Sequence, residues 1–122
     1  MPTQATQPFG KRGEQLAAEY LKRKGYIIVT TNWRCKHGEI DIIAQQAAVM
    51  VFVEVRTRHA GNTESAFESI TPRKQRRMTA SAQTYLAAHD LDNYDWRVDV
   101  IGIAIPRAGV PIIEHAEDAL GW

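Results

Sequence analysis

Two neighbouring stretches decide how this chain folds: Gly38-Glu39-Ile40-Asp41-Ile42-Ile43-Ala44 and Val49-Met50-Val51-Phe52-Val53-Glu54-Val55-Arg56-Thr57-Arg58. Both are rich in Val, Ile and Phe, the composition of buried strands. Only Gln45 to Ala48 separates them, so they read as a hairpin with strands Glu39 to Ala44 and Val49 to Arg58. Each carries an acid where a core strand should have none. Asp and Glu are rarely buried without a partner or a metal. Period-two alternation puts Phe52, Glu54 and Arg56 on one face, Val51, Val53 and Val55 on the other, and Glu39, Asp41 and Ile43 on a shared face of the first strand. A tight turn at Ala47 and Ala48 sets Asp41 beside Glu54, and cross-strand neighbours lie about 5 Å apart at Cβ. Two carboxylates roughly 4 Å apart repel by about 4 kcal/mol at an effective dielectric of 20. A divalent cation would reverse that sign, because Mg²⁺ is held by one or two carboxylates plus substrate phosphate.

Outward from the hairpin the pattern is simple. Gly10 to Lys24 reads as a helix with Leu16, Ala17, Tyr20 and Leu21 on one stripe and Gly25 as its stop. Tyr26 to Trp33 reads as a strand, and His59 to Ser69, with Gly61 and Asn62, as a loop. Thr71 caps a second helix, Pro72 takes its first position, and the helix runs to about His89. Trp96 to Ile105 is a fourth strand, Pro106 to Pro111 a turn, and Ile112 to His115 a short fifth strand. The order helix, three strands, helix, strand predicts an α/β protein with helices against a mixed sheet. Residues 1–9 read as a loose tail and 10–122 as one domain.

The chain has 122 residues, 44% apolar and 24% charged, with net charge +1, and this composition is that of a soluble globular domain. Its single cysteine, Cys35, excludes an intrachain disulfide and fits a reducing cytoplasm. No apolar run suits a membrane span. The small net charge hides an uneven distribution. Three acids and no Lys or Arg follow Arg107, while basic residues gather at Arg34 and Lys36 and at Arg73-Lys74-Gln75-Arg76-Arg77. Cations in the first turns of a helix oppose its dipole, yet a helix start with added cations suits phosphate. Arg34, Lys36, Arg73, Lys74, Arg76 and Arg77 are therefore the candidate nucleic-acid contacts, with Gln75 placed to orient a water or a phosphate. A solvated basic turn beside Glu64 and Glu68 is the plainer alternative. On the first helix Glu14 borders the core stripe, whereas Glu19 faces water, so Glu14 is the acid able to join Asp41 and Glu54. The alternative without metal has Glu54 paired with Arg56, Arg58 or Arg34 and Asp41 capping a turn. Arg97 and Asp99 are expected to form a structural ion pair.

An acid in one strand followed by Glu54-Val55-Arg56 in the next resembles the PD-(D/E)xK nuclease pattern, and Glu14 resembles the helical acid that archaeal-type Holliday-junction resolvases add. With Gly10 to Leu21, Asn32-Trp33-Arg34 and Ile70-Thr71-Pro72-Arg73-Lys74-Gln75, most of the domain is similar to the YraN-like family of bacterial proteins. The resemblance implies a restriction-endonuclease-like core of order αβββαβ. It implies Mg²⁺ or Mn²⁺ on Asp41, Glu54 and Glu14, catalytic roles for these acids with Arg56 and Gln75, DNA as partner, and a homodimer matched to the two-fold symmetry of a junction. Arg56 departs from the pattern's Lys. Arg stays charged and cannot act as a base, although it can stabilise developing charge. Lys36 or Lys74 is then left to supply an ammonium from another element. Two functions follow. One is a metal-dependent endonuclease or exonuclease on branched or damaged DNA. The other is a nucleic-acid-binding module of the same fold without catalysis.

Overall fold

The computed structural model describes residues 9–120. Most of the expected tail, residues 1–8, lies outside the described residues. Its last member, Phe9, instead opens the first helix, stacking on His59 with ring centroids 4.0 Å apart. The elements are α1 (Phe9–Arg23), β1 (Ile27–Cys35), β2 (Gly38–Gln46), β3 (Val49–Arg58), α2 (Glu64–Glu68), α3 (Pro72–Ala88), β4 (Asp95–Ala104) and β5 (Ile112–Ala116).

The five strands form one mixed sheet in chain order, β1-β2-β3-β4-β5. Only β3 and β4 run parallel, and the connection between them carries α2 and α3. The apolar alternation of β3 feeds two cores. Val51, Val53 and Val55 meet Ala17 and Leu21 of α1, with Ile42, Ile101 and Ile103. Met50 and Phe52 face the other way and meet Ala82, Tyr85 and Leu86 of α3, with Ile43 and Val98. The sheet is thus buried on both faces, α1 on one side and α3 on the other.

Local chemistry sets the helix ends. The Tyr26 and Gly25 amides donate to the Leu21 and Lys22 carbonyls, and Gly25 takes a φ of 93° that suits glycine. At α3 the Thr71 hydroxyl accepts the Lys74 amide at 3.2 Å, with Pro72 first in the helix. Gly13 governs the seating of α1. A Cβ there would stand 1.9 Å from Thr57 Oγ1, so the missing side chain lets the helix lie directly on β3.

Two expectations are corrected. The segment read as a loop, His59 to Ser69, contains α2, a turn and a half too short to display a period. It is held by Phe67, whose ring lies over Gly102 of β4 where a Cβ would have to be. Strict alternation along β2 also fails. Ile40 and Ile43 both face α3, while Ile42 faces α1, so the pattern breaks at Asp41. Directly across in β1, pairing steps from Thr31↔Ile42 to Trp33↔Ile40 over Asn32, which adopts a left-handed φ of 53°. The expected boundaries of the other strands and helices hold to within two residues.

That break opens the sheet. The β2–β3 ladder runs from Gln46↔Val49 only as far as Ile42↔Val53. Beyond it β2 stays with β1 through Glu39↔Arg34 and Gly38↔Cys35, while β3 stays with β4 as far as Arg58↔Ala104. The two central strands part like a fork, and the acids lie in its crotch.

Candidate active site

The fork brings four carboxylates together. Asp41 and Glu54 come from its two arms, Glu39 from the end of β2, and Glu14 from α1. They line a cleft of about 410 Å³ together with Arg56, Arg58 and Arg77. A smaller pocket of about 90 Å³ adjoins it, sharing Glu39, Glu54 and Arg77 and adding His37, Lys74 and Ser81.

Asp41 is 9% exposed, and its Oδ2 accepts the Val55 amide at 2.8 Å, which replaces a ladder hydrogen bond lost where the strands part. Burial pushes its carboxyl up to about 8, and the neighbouring Glu54, Glu14 and Glu39 add to the shift against the Val55 hydrogen bond. Glu54 is also pushed up by burial, against the charges of Arg56 and Lys74, with Glu39 and Glu14 raising it further. Both shifts say the same thing. Burial is the largest cause at both acids, and the neighbouring carboxylates add to it.

Arg56 lines the cleft together with the acids. Its Nε is 3.5 Å from Glu54 Oε2, with the side chains only 19% and 16% exposed. That Nε is buried and lacks a hydrogen-bond partner among the described residues. The pair expected in the metal-free alternative therefore exists as an ion pair without a hydrogen bond. Glu14 is held from behind, its Oε1 accepting Asn32 Nδ2 at 2.9 Å, while Lys11 donates to Asn32 Oδ1 at 3.0 Å. Asn32 was not among the residues singled out for the site. Its signal is the left-handed backbone, which Asn tolerates and a β-branched strand residue would not.

The basic candidates divide. Arg77 lines both the cleft and the smaller pocket and donates to the His37 carbonyl at 3.3 Å, while Lys74 lines the smaller pocket. Lys74, half-buried, acts electrostatically on Glu54, so of the two lysines proposed to supply an ammonium it is the one beside the acids. Lys36 is exposed in the β1–β2 turn, and Arg34 is tied to Glu39 at 3.2 Å. Arg73 and Arg76 are exposed on α3, and Gln75, half-buried on the same helix, lines neither pocket.

The family described as "Uncharacterised protein family UPF0102" matches residues 13–103. The chain belongs to the UPF0102 family. A UPF0102 protein of Chloroflexus aurantiacus is 46% identical over 122 residues, covering 99% of this chain and 98% of the relative. One of Roseiflexus castenholzii is 48% identical over 108 residues, 87% of each chain. One of Geotalea uraniireducens is 44% identical over 110 residues, covering 90% and 87%. All four clustered acids, Arg56, Lys74 and Arg77 fall inside the UPF0102 match.

The donor set bears on a metal. All four acids offer oxygen, the ligand that hard divalent cations take, and Asp41 keeps one oxygen free of hydrogen bonds from the described residues. Among the described residues no three His, Cys, Asp or Glu side chains already stand as a ready ligand group. Mg²⁺ does not need three, since it keeps several waters and is bound through one or two carboxylates and substrate phosphates. Asp41 and Glu54 fit that role, and Glu14, engaged by Asn32, fits as support. No helix among the described residues is long and apolar enough to cross a membrane.

Proposed function

We propose that this protein is a divalent-cation-dependent nuclease that hydrolyses DNA phosphodiester bonds, built on a restriction-endonuclease-like core. One observation carries the reading. Buried Asp41 and half-buried Glu54 line one cleft where the sheet opens, with Glu14 and Glu39 beside them, and burial and the neighbouring carboxylates push both carboxyls up. A fold indifferent to metal has no reason to gather these acids where its sheet forks. The meander β1-β2-β3, the parallel β4 and the helices on either face support the fold assignment.

Asp41 and Glu54 would hold Mg²⁺ or Mn²⁺, which when bound lowers the pKa of a bound water and polarises a phosphoryl oxygen. The rest of the work belongs to the side chains. Arg56, ion-paired with Glu54, brings a guanidinium charge to the cleft that would stabilise charge developing on the phosphate. Lys74 and Arg77 draw the phosphate into the cleft from the α3 side. Asn32 and Lys11 fix Glu14 against the carboxylates.

A second reading rests on Arg56. Its approach to Glu54 partly neutralises a metal ligand, which favours a DNA-binding module without catalysis, held by charge and weakened by salt. The test is cleavage of branched, single-stranded and duplex DNA across a Mg²⁺ and Mn²⁺ titration. Metal-dependent cleavage lost in both Asp41→Asn and Glu54→Gln is the expected result. Cleavage that survives both substitutions refutes the site. Salt-sensitive binding with no cleavage at any metal concentration establishes the module.

A further inference from the structure

Past the carboxyl ends of the parallel strands lies a second cavity, of about 430 Å³, lined by His59, Ala60, Gly61, Ile105, Pro106 and Arg107. Its floor is fixed, because the Ile105 amide donates to the Arg58 carbonyl at 2.9 Å and the Ala60 amide to the Ile105 carbonyl at 3.3 Å. Ligands of open α/β sheets collect at this end of the strands. The cavity also adjoins the carboxylates. Phe9, which lines the acidic cleft, stacks on His59, which lines the cavity, with an interplanar angle of 25°. The two spaces meet at this aromatic pair.

The lining chemistry is specific. Ile105 and Pro106 are apolar, His59 and Arg107 are exposed and offer a flat ring and a cation, and no acid among the described residues lines the cavity. An apolar wall, an aromatic platform and a guanidinium suit a nucleobase with its phosphate, the combination that single-strand binders use. A base paired within a continuous duplex cannot enter such a pocket without leaving the stack.

We infer that the His59–Arg107 cavity holds one unstacked nucleotide next to the phosphate at the carboxylates, so that the substrate is single-stranded or contains an unpaired junction. This rests on the nuclease reading above. Binding is measured by fluorescence anisotropy in Ca²⁺ with two labelled probes, an oligothymidylate and a blunt duplex of matched length, using the full chain. The oligothymidylate is expected to bind more tightly. His59→Ala and Arg107→Ala should each weaken it roughly tenfold while duplex affinity changes by less than about twofold, and His59→Tyr should retain the stacking. Arg107→Ala should also reduce the slope of log affinity against log salt by about 0.7. Arg107 is exposed in the turn after β4, so its loss leaves the core intact and the test decisive even if His59→Ala unfolds. Equal binding of both probes, unmoved by either substitution, overturns the cavity assignment and leaves the nuclease reading standing. Failure of the wild-type protein to bind either probe overturns both.

Discussion

The Val55 amide donates to Asp41 Oδ2 at 2.8 Å at the point where β2 and β3 separate. A side-chain carboxylate here does the work of a backbone carbonyl. It ends the ladder without orphaning the amide, and it pins one acid of the cluster in a fixed orientation. The same group is pushed up to about 8 by burial and by its acidic neighbours, so its ionisation and the metal-free stability of the fold are linked.

Asp41→Asn should therefore stabilise the metal-free protein, and increasingly so as pH rises. The folded-state pKa lies above the ordinary 3.8, so the favourable contribution of protonated Asp41 is full below that value and lost as pH climbs through about 8. Asn retains an acceptor for the Val55 amide. At about 1.36 kcal/mol per pKa unit, the effect on the alkaline side is on the order of a few kcal/mol. Thermal melts of both proteins in EDTA across the pH range check this. A lower melting temperature for the variant at alkaline pH would mean that Asp41 is adequately paired.

Mn²⁺ should raise the melting temperature of the wild-type protein above pH 8 and do so less below it, because protons compete for the same oxygens. A cation a hundredfold above its Kd stabilises by about 2.7 kcal/mol. Glu54→Gln should lose most of that gain, as read by calorimetry at two pH values. An equal gain in the variant would place the ion elsewhere.

On the nuclease reading, removing Lys74 should move the pH dependence of cleavage. Burial raises Glu54, and Lys74 opposes that rise. Lys74→Met lets Glu54 climb further, so the onset of activity shifts to higher pH, while Lys74→Arg keeps it near the wild-type position. A pH profile unchanged by Lys74→Met would exclude its coupling to Glu54.

Asp99 has the opposite sign. It is fully buried, and burial alone would raise its carboxyl, but hydrogen bonds from His115, Arg97 and the Asp118 amide outweigh this and hold it below the ordinary range. Its contribution is present above about pH 4 and lost as pH falls through the depressed value. Asp99→Asn should cost about 3–5 kcal/mol at neutral pH and flatten the acid limb of the stability curve. Urea unfolding at neutral and acid pH measures both.

Gly13→Ala should destabilise by about 1–3 kcal/mol despite Ala's better helix propensity, because its Cβ would overlap Thr57 Oγ1. Thr57→Ala in the same chain should recover part of the loss. Two additive effects in the double-mutant cycle would refute the contact.

The acid pair was legible because it needs only local information. A two-residue turn and two apolar runs bring Asp41 and Glu54 to one end of the hairpin, although period two fails at Asp41, and helical spacing picks Glu14 over exposed Glu19. The expected Arg97–Asp99 pair is also present, with Arg97 Nε and Asp99 Oδ1 3.0 Å apart. The fork was not legible, since it arises from two strands choosing different partners past Val53. Nor was the extension of the Arg97–Asp99 pair to His115 on β5 and the Asp118 amide, which depends on strands meeting from distant parts of the chain. Lys74 reaches Glu54 only through the packing of α3 on the sheet, so neither spacing nor charge could prefer it to Lys36. Asn32 hides in a strand of ordinary composition, and only its backbone angle shows that it turns toward Glu14.

Because the strands lie in the sheet in the order they occur in the chain, β1, β2 and β3 can zip by short loop closures before β4 exists. The ladder that brings Asp41 and Glu54 to one end of the hairpin needs only β2 and β3, whereas the buried Asp99 network needs β4 and β5. Protons, salt or a divalent ion would each lessen the repulsion between those acids as β2 pairs with β3.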